Sequence, residues 1–164
     1  MTHYRGQIFA WDVVNEAFND DGTLGESPFL DQLGPSYIQT AFEIARSADP
    51  SARLYIVRMH CSQGKNTFLM GTLQNDFNTE GVNAKSDALL ALVTDLKSQN
   101  LIDGVGFQSH FIVGEVPQDL QTNLERFVAA GVEVAITELD VRVSARGIQS
   151  SVMCTENSLR QRYP

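Results

Sequence analysis

Four apolar runs alternate along the chain with stretches in which apolar residues recur every three to four positions. The first run, Ile8 to Val14, stops abruptly at Asn15-Glu16. Its near-continuous apolar character predicts a strand buried on both faces, as in a parallel sheet. A polar loop is expected from Ala17 to Gly34, and Pro35 then opens a helix. Within that helix Ile38, Ala41, Phe42 and Ala45 form one apolar face, and Asp49-Pro50 ends it. Leu54-Tyr55-Ile56 begins a second strand. From Val57 to Gln74 no period is legible, and the strand is expected to resume at Asn75-Asp76-Phe77-Asn78. A second helix follows over about 84–98, with Leu89, Leu92, Val93 and Leu96 at helical spacing. Val105 to Phe111 reads as the third strand. A third helix after Pro117 places Leu120, Leu124, Phe127 and Val128 on one face, with Gly131 at its C-terminal end. Residues 132–137 form the fourth strand, and no period is legible from Ser144 onward.

The order β-α-β-α-β-α-β implies an α/β fold with a parallel sheet. Polar residues gather where each strand ends: Asn15-Glu16, Asn75 to Asn78, Gln108 and His110, Glu138 and Asp140. In a (β/α)8 barrel that end holds the active site. Four strands do not close such a barrel. An open nucleotide-binding sheet is disfavoured, because no glycine-rich turn follows the first strand.

Glu16 and Glu138 share a context, each a carboxylate at the exit of a buried strand. Burying such a charge without a partner is costly. A single glutamate there is explained as well by an ion pair or a helix cap; two in matching contexts suggest a pair acting on one substrate. Two carboxylates flanking a glycosidic bond are sufficient for its hydrolysis, and in a retaining enzyme they stand about 5–5.5 Å apart. His110 and Asp140 extend the pattern to a Glu-His-Asp set that keeps the nucleophile ionised and oriented. Gln108 is expected on the same strand face as His110. Trp11 reads as structural. Asp20-Asp21-Gly22 reads as a solvated turn, since later calcium-ligand positions are absent. No metal or cofactor is expected.

Composition narrows the partners. The 164 residues carry a net charge of −8 and are 43% hydrophobic. That describes a globular chain and argues against nucleic acid and anionic membranes as partners; it suits a neutral ligand such as a sugar. No apolar run is long enough to span a bilayer. The first six residues lack an apolar segment, so no signal peptide is expected in this chain. Cys61 and Cys154 match no disulfide framework or metal spacing. Every Cys, and every Met after Met1, lies in 57–74 or 144–164. Each of these segments nets +2, leaving −12 on the remainder. Two compositions are therefore mixed. The expected division is a catalytic-domain portion over 1–143, interrupted by a foreign insertion at 57–74, and a divergent tail at 144–164. Eighteen residues would keep a reading frame, as a retained intron must.

Trp11-Asp12-Val13-Val14-Asn15-Glu16-Ala17, Leu54-Tyr55-Ile56, Asn75-Asp76-Phe77-Asn78, Gly106-Phe107-Gln108-Ser109-His110 and Ile136-Thr137-Glu138-Leu139-Asp140 together resemble glycoside hydrolase family 10, secreted endo-1,4-β-xylanases, in a fungal wording. The resemblance covers about 2–56 and 75–143. It implies a partial (β/α)8 TIM barrel, approximately strands four to seven of eight with their helices. It further implies Glu16 as general acid/base, Glu138 as nucleophile and Asn15 as a contact to the sugar at the −1 subsite. Gln108 and His110 would orient Glu138, Asp140 would stand behind His110, and Phe77 and Asn78 would border the +1 side. The family more often has Tyr where Phe77 stands. Its first three strands, which bind the glycone side, and its eighth are not matched, so impaired or no turnover is expected. The implied partner is xylan or xylo-oligosaccharide, the implied setting extracellular. The chain is expected to be monomeric or prone to aggregate. The alternatives are a non-catalytic carbohydrate-binding remnant and another retaining barrel glycosidase, a cellulase or mannanase.

Overall fold

The apolar runs pair side by side into one sheet. A computed structural model of the chain describes residues 1–58 and 79–143. In chain order the elements are β1 (Ala10–Asn15), α1 (Pro28–Leu33), α2 (Tyr37–Ala48), β2 (Arg53–Arg58), α3 (Ala84–Ser98), β3 (Gly104–Phe107), β4 (His110–Ile112), α4 (Leu120–Ala129), β5 (Glu133–Ile136) and β6 (Asp140–Arg142). Strands β1, β2, β3 and β5 form a sheet in that spatial order, every neighbour parallel. Strands β4 and β6 form a separate parallel pair, with His110 opposite Asp140. This is part of a (β/α)8 barrel: consecutive parallel strands joined through helices that cover one sheet face.

The core lies between the sheet and its helices. Leu54, Ile56, Val105 and Phe107 are fully buried against a cluster that includes Phe42, Leu89, Val93, Leu96 and Phe127. The rings of Phe107 on β3 and Phe127 on α4 meet edge to face at 5.2 Å, a favoured geometry for aromatic pairs. All four residues of β3 are buried, as befits an inner strand of a parallel sheet. The helical spacings locate two of the three buried faces. Ile38, Phe42 and Ala45 on α2, and Leu89, Val93 and Leu96 on α3, are buried as the periodicity predicts. On α4 the expected face is rotated: Val128 is 59% exposed, whereas Asn123 is fully buried with Phe127. The Asn123 amide finds acceptors in the Thr79 and Glu80 carbonyls, at 2.6 and 3.2 Å. A polar residue can therefore occupy a core position that hydrophobic spacing assigns elsewhere.

Three further boundaries differ from expectation. The loop over 17–34 contains α1, capped by the Ser27 hydroxyl, which accepts from the Leu30 N–H at 3.1 Å, with Pro28 in the first turn. Helix α2 opens at Tyr37 rather than Pro35. Strand β2 does not end at Ile56 but runs through Val57 and Arg58, pairing Val57 with Asn15 and with Gly106. The change of composition at residue 57 thus falls inside a strand. The rest of that segment and the strand expected to resume at Asn75 to Asn78, with Phe77 and Asn78, lie outside the described residues, as does 144–164.

On the opposite sheet face, glycines on β3 stand beside Tyr55 and Val57 of β2. A Cβ on Gly104 would stand 2.3 Å from the Tyr55 ring, and one on Gly106 would stand 2.8 Å from Val57 and from Thr137. Glycine is favoured at both by close approach rather than by backbone conformation, since a larger residue would have to displace these side chains. At the N-terminal end of this face, the Tyr55 hydroxyl donates to Glu133 at 2.7 Å. Burial, and then the Glu133 carboxylate, push the phenol up to about 12. Arg46 pairs with Asp103 at 2.7 Å and Arg53 with Glu133 at 3.1 Å. These bonds tie strand starts together, at the end of a barrel that serves stability. Among the described residues no helix is long and apolar enough to cross a membrane.

Candidate active site

Glu16 is the residue after β1, and its backbone is left-handed, with φ +59°. Such a conformation costs a side-chain-bearing residue about 1–3 kcal/mol. Part of the cost is offset because its N–H still reaches the Val57 carbonyl at 3.2 Å. The Asn15 amide donates to Glu16 Oε1 at 3.3 Å. The two sequence-neighbouring polar residues therefore contact each other where the strand ends.

The loop that follows is held by its own side chains and by helix α3. Asp21 accepts from the Thr23 hydroxyl at 2.6 Å and from its N–H at 2.9 Å, and these bonds hold the carboxyl below its ordinary value. The buried Lys85 ammonium, at the start of α3, pairs with Asp20. Among the described residues no group of three or more His, Cys, Asp or Glu is arranged to hold a metal ion.

The third strand, expected to be continuous from 105 to 111, breaks in two. Ser109 adopts φ +63°, which ends β3 at Phe107 and starts β4 at His110. Gln108 and His110 accordingly do not share one strand face. Gln108 is buried, and among the described residues neither polar atom of its amide has a hydrogen-bond partner. His110 is 37% exposed and stands between two carboxylates: Nδ1 is 3.1 Å from Asp140 Oδ1, and Nε2 is 3.5 Å from Glu138 Oε2. Both carboxylates are acceptors, so a ring nitrogen that carries a proton donates to the carboxylate it faces, and the contact to Asp140 is the shorter of the two.

The register relates the two glutamates. Asn15 is level with Val57, Val57 with Gly106, and Gly106 with Ala135. Glu16 follows Asn15, and Glu138 lies two residues beyond Ile136, so both leave the sheet at its C-terminal end. Three strand spacings separate β1 from β5, roughly 14 Å along the sheet. The sheet's apolar groove, about 440 Å³, is not the space between them. It lies along the flank of β1, between Val13, Val14, Phe29, Tyr37 and Ile44, and touches Asn15 and Glu16 but neither His110 nor Glu138. Trp11 packs against the core, as a structural residue does.

One contributor gives little sign of itself in the sequence. Glu80 is 6% exposed, and its Oε1 accepts from the Ser109 N–H at 2.9 Å. An amide bonded to a charged acceptor contributes about 1.5–3 kcal/mol, the same order as the cost of a left-handed serine. A glutamate three residues before a helix-capping Asn83 reads as surface; only the fold brings it beside residue 109.

Parallel strands with carboxylates and an imidazole gathered at one end are the arrangement of part of a (β/α)8 barrel. Among such barrels, the model of glycosyl hydrolase family 10 matches residues 1–163, and the chain belongs to this family. It is 51% identical over 145 residues to endo-1,4-beta-xylanase A of Phanerodontia chrysosporium, covering 88% of this chain and 31% of that protein. To the endo-1,4-beta-xylanase of Agaricus bisporus it is 48% identical, over 88% of this chain and 38% of the relative. The crystal structure of a glycosylated family 10 endo-beta-1,4-xylanase from Gloeophyllum trabeum superposes with a TM-score of 0.75 at 52% identity, over 91% of this chain and 42% of that one. Xylanase 10B of Thermotoga petrophila RKU-1, solved in complex with xylobiose, superposes at 0.74 with 35% identity, over 90% and 40%. The chain thus spans between about a third and two fifths of the length of these relatives.

Proposed function

We propose that this chain carries the catalytic pair of a retaining endo-1,4-β-xylanase. The observation that carries the reading is His110 held between Glu138 and Asp140, on the same end of the sheet as Glu16. Glu16, as general acid, gives its proton to the glycosidic oxygen while the Glu138 carboxylate attacks the anomeric carbon. The bond to the leaving sugar breaks as an ester to Glu138 forms. Water then attacks the same carbon, Glu16 takes its proton, and Glu138 departs as a carboxylate. His110, braced by Asp140, orients Glu138. Asn15 steadies Glu16 and contacts the sugar at −1; Gln108 serves with His110 in orienting Glu138; Phe77 and Asn78 border the +1 side.

The substrate is xylan or xylo-oligosaccharide, which the names of the relatives favour over a cellulase or mannanase reading. The protein acts outside the cell, without a cofactor, and neither nucleic acid nor membrane is a partner. The catalytic-domain portion is 1–143, with 57–74 foreign to the family and 144–164 a divergent tail. Glu138 is 44% exposed, which leaves the nucleophile open to water on the side where other barrel strands bind the glycone. Turnover by the chain alone is therefore low, because binding there does much to place the sugar.

Release of reducing ends from xylan tests the reading. Glu138→Ala is expected to abolish whatever signal the parent gives, and Glu16→Ala to lower it by about 100- to 10,000-fold. Equal, zero signals from parent and both variants would overturn the catalytic reading, and retention on xylan without hydrolysis would then identify a carbohydrate-binding remnant.

A further inference from the structure

We propose that Glu80 is a positioning residue for the nucleophile side of the site. Its buried carboxylate fixes the left-handed turn at Ser109 and thereby the place of His110 between Glu138 and Asp140. The functional meaning of this assignment rests on Glu138 being the nucleophile; the geometry does not.

A continuous strand would carry residue 110 onward in line with β3. The turn at Ser109 moves His110 out of that sheet and into the pair with Asp140. Leaving the ladder strands the Ser109 N–H in a fully buried position, where a donor without an acceptor is costly. Glu80 Oε1 supplies the acceptor at 2.9 Å, and Oε2 accepts from the Thr79 N–H at 3.1 Å. Both oxygens thus receive backbone donors. The segment bearing Glu80 is itself held. Asn123 on α4 donates to the carbonyls of Thr79 and Glu80, and Arg126 Nη1 donates to Asn123 Oδ1 at 3.2 Å. Arg126 also pairs with Asp87 on α3. Helices α3 and α4 therefore brace Glu80, Glu80 braces residue 109, and residue 109 places residue 110. A buried carboxylate is an expensive way merely to fill space. As the acceptor at a strained turn beside the site, it has a specific task.

The test uses the full chain at low micromolar concentration, as parent, Glu80→Ala and Glu80→Gln. Hydrogen exchange by mass spectrometry follows peptides covering 107–112 and 37–48. Acylation by diethyl pyrocarbonate follows His110, with the exposed His3 as reference. In Glu80→Ala, exchange at residue 109 is expected to accelerate by about tenfold or more, the equivalent of one lost hydrogen bond. Acylation of His110 is expected to rise severalfold as the ring leaves its flanking carboxylates. The glutamine variant keeps an acceptor for Ser109 and should restore most of both effects, while 37–48 and His3 stay at parental rates throughout. Parental rates at 109 and His110 in Glu80→Ala would overturn the proposal. So would equal loosening of 37–48, which reduces Glu80 to a general determinant of folding. Neither readout requires xylan hydrolysis, so an inactive chain would count against the enzymatic reading and leave this one to be decided separately.

Discussion

Asp49 shows how one side chain decides a local structure. It sits at the end of α2 and is fully buried. Its carboxylate accepts from the Ser51 hydroxyl at 2.7 Å, the Gly6 N–H at 2.9 Å and the Ser51 N–H at 3.2 Å. These bonds favour the charged form and hold the carboxyl below its ordinary value, the Ser51 hydroxyl contributing most. A depressed carboxylate stabilises the fold above the unfolded-state value, and that stability is lost as pH falls through the folded-state value. Asp49→Asn is therefore expected to lower the urea midpoint at pH 7, with the gap to the parent closing below about pH 4. A gap that stays constant from pH 7 to pH 3 would contradict this. Asp49-Pro50 was legible in the sequence as a helix stop; that the same side chain anchors Gly6, 43 residues away, was not. Glu16 and Glu138 were legible because strand exits are local patterns. Glu80 was not, because its partner, Ser109, is 29 residues distant.

At the scale of elements, the ends of α3 were written most clearly. The bounds of α3 coincide with those the periodicity predicts, and Asn83 caps it: its side chain accepts from the Ser86 N–H at 2.9 Å, while the Ser86 hydroxyl accepts from the Asn83 N–H at 2.9 Å. This reciprocal box satisfies two of the donors that a helix start leaves free. Asn83→Ala is expected to cost about 1 kcal/mol, within a range of 0.5–2, read from the shift in urea midpoint at unchanged slope; a slope change would point instead to a different unfolding reaction. Strands behave differently, because their limits depend on partners. The run over 105–111 has strand composition throughout, yet the turn at Ser109 divides it. Val57 extends β2 because Asn15 and Gly106 stand beside it. On α4 the buried stripe shifts to Asn123 for a comparable reason: two carbonyls of another segment await its amide.

For the molecule as a whole, the described sheet ends in β1 on one side and β5 on the other. Near β5, Ile136 is 47% and Leu139 62% exposed; near β1, Phe9 and Phe29 are exposed as well. Unpaired parallel edges flanked by apolar side chains invite association with other chains. The 164-residue polypeptide expressed by itself is expected to partition mainly to the insoluble fraction. Ile136→Lys, which places a charge on the β5 edge, should raise the soluble share. A chain found mainly in the soluble fraction would contradict the expectation, and sedimentation of the lysate would show it. The alternation of strand and helix, the helix faces and the carboxylates at strand exits were fixed by the sequence alone, because each follows from periodicity or from neighbours a few residues away. Family membership was legible too, since several motifs recur in order. The grouping of Glu138, His110 and Asp140 was legible as well, and the structure brings the three together. Tertiary structure decided where strands stop, which polar residues are buried, and that the turn at Ser109 takes His110 off the strand face of Gln108. Those outcomes depend on hydrogen-bond partners that sequence distance hides and only the folded backbone brings within reach.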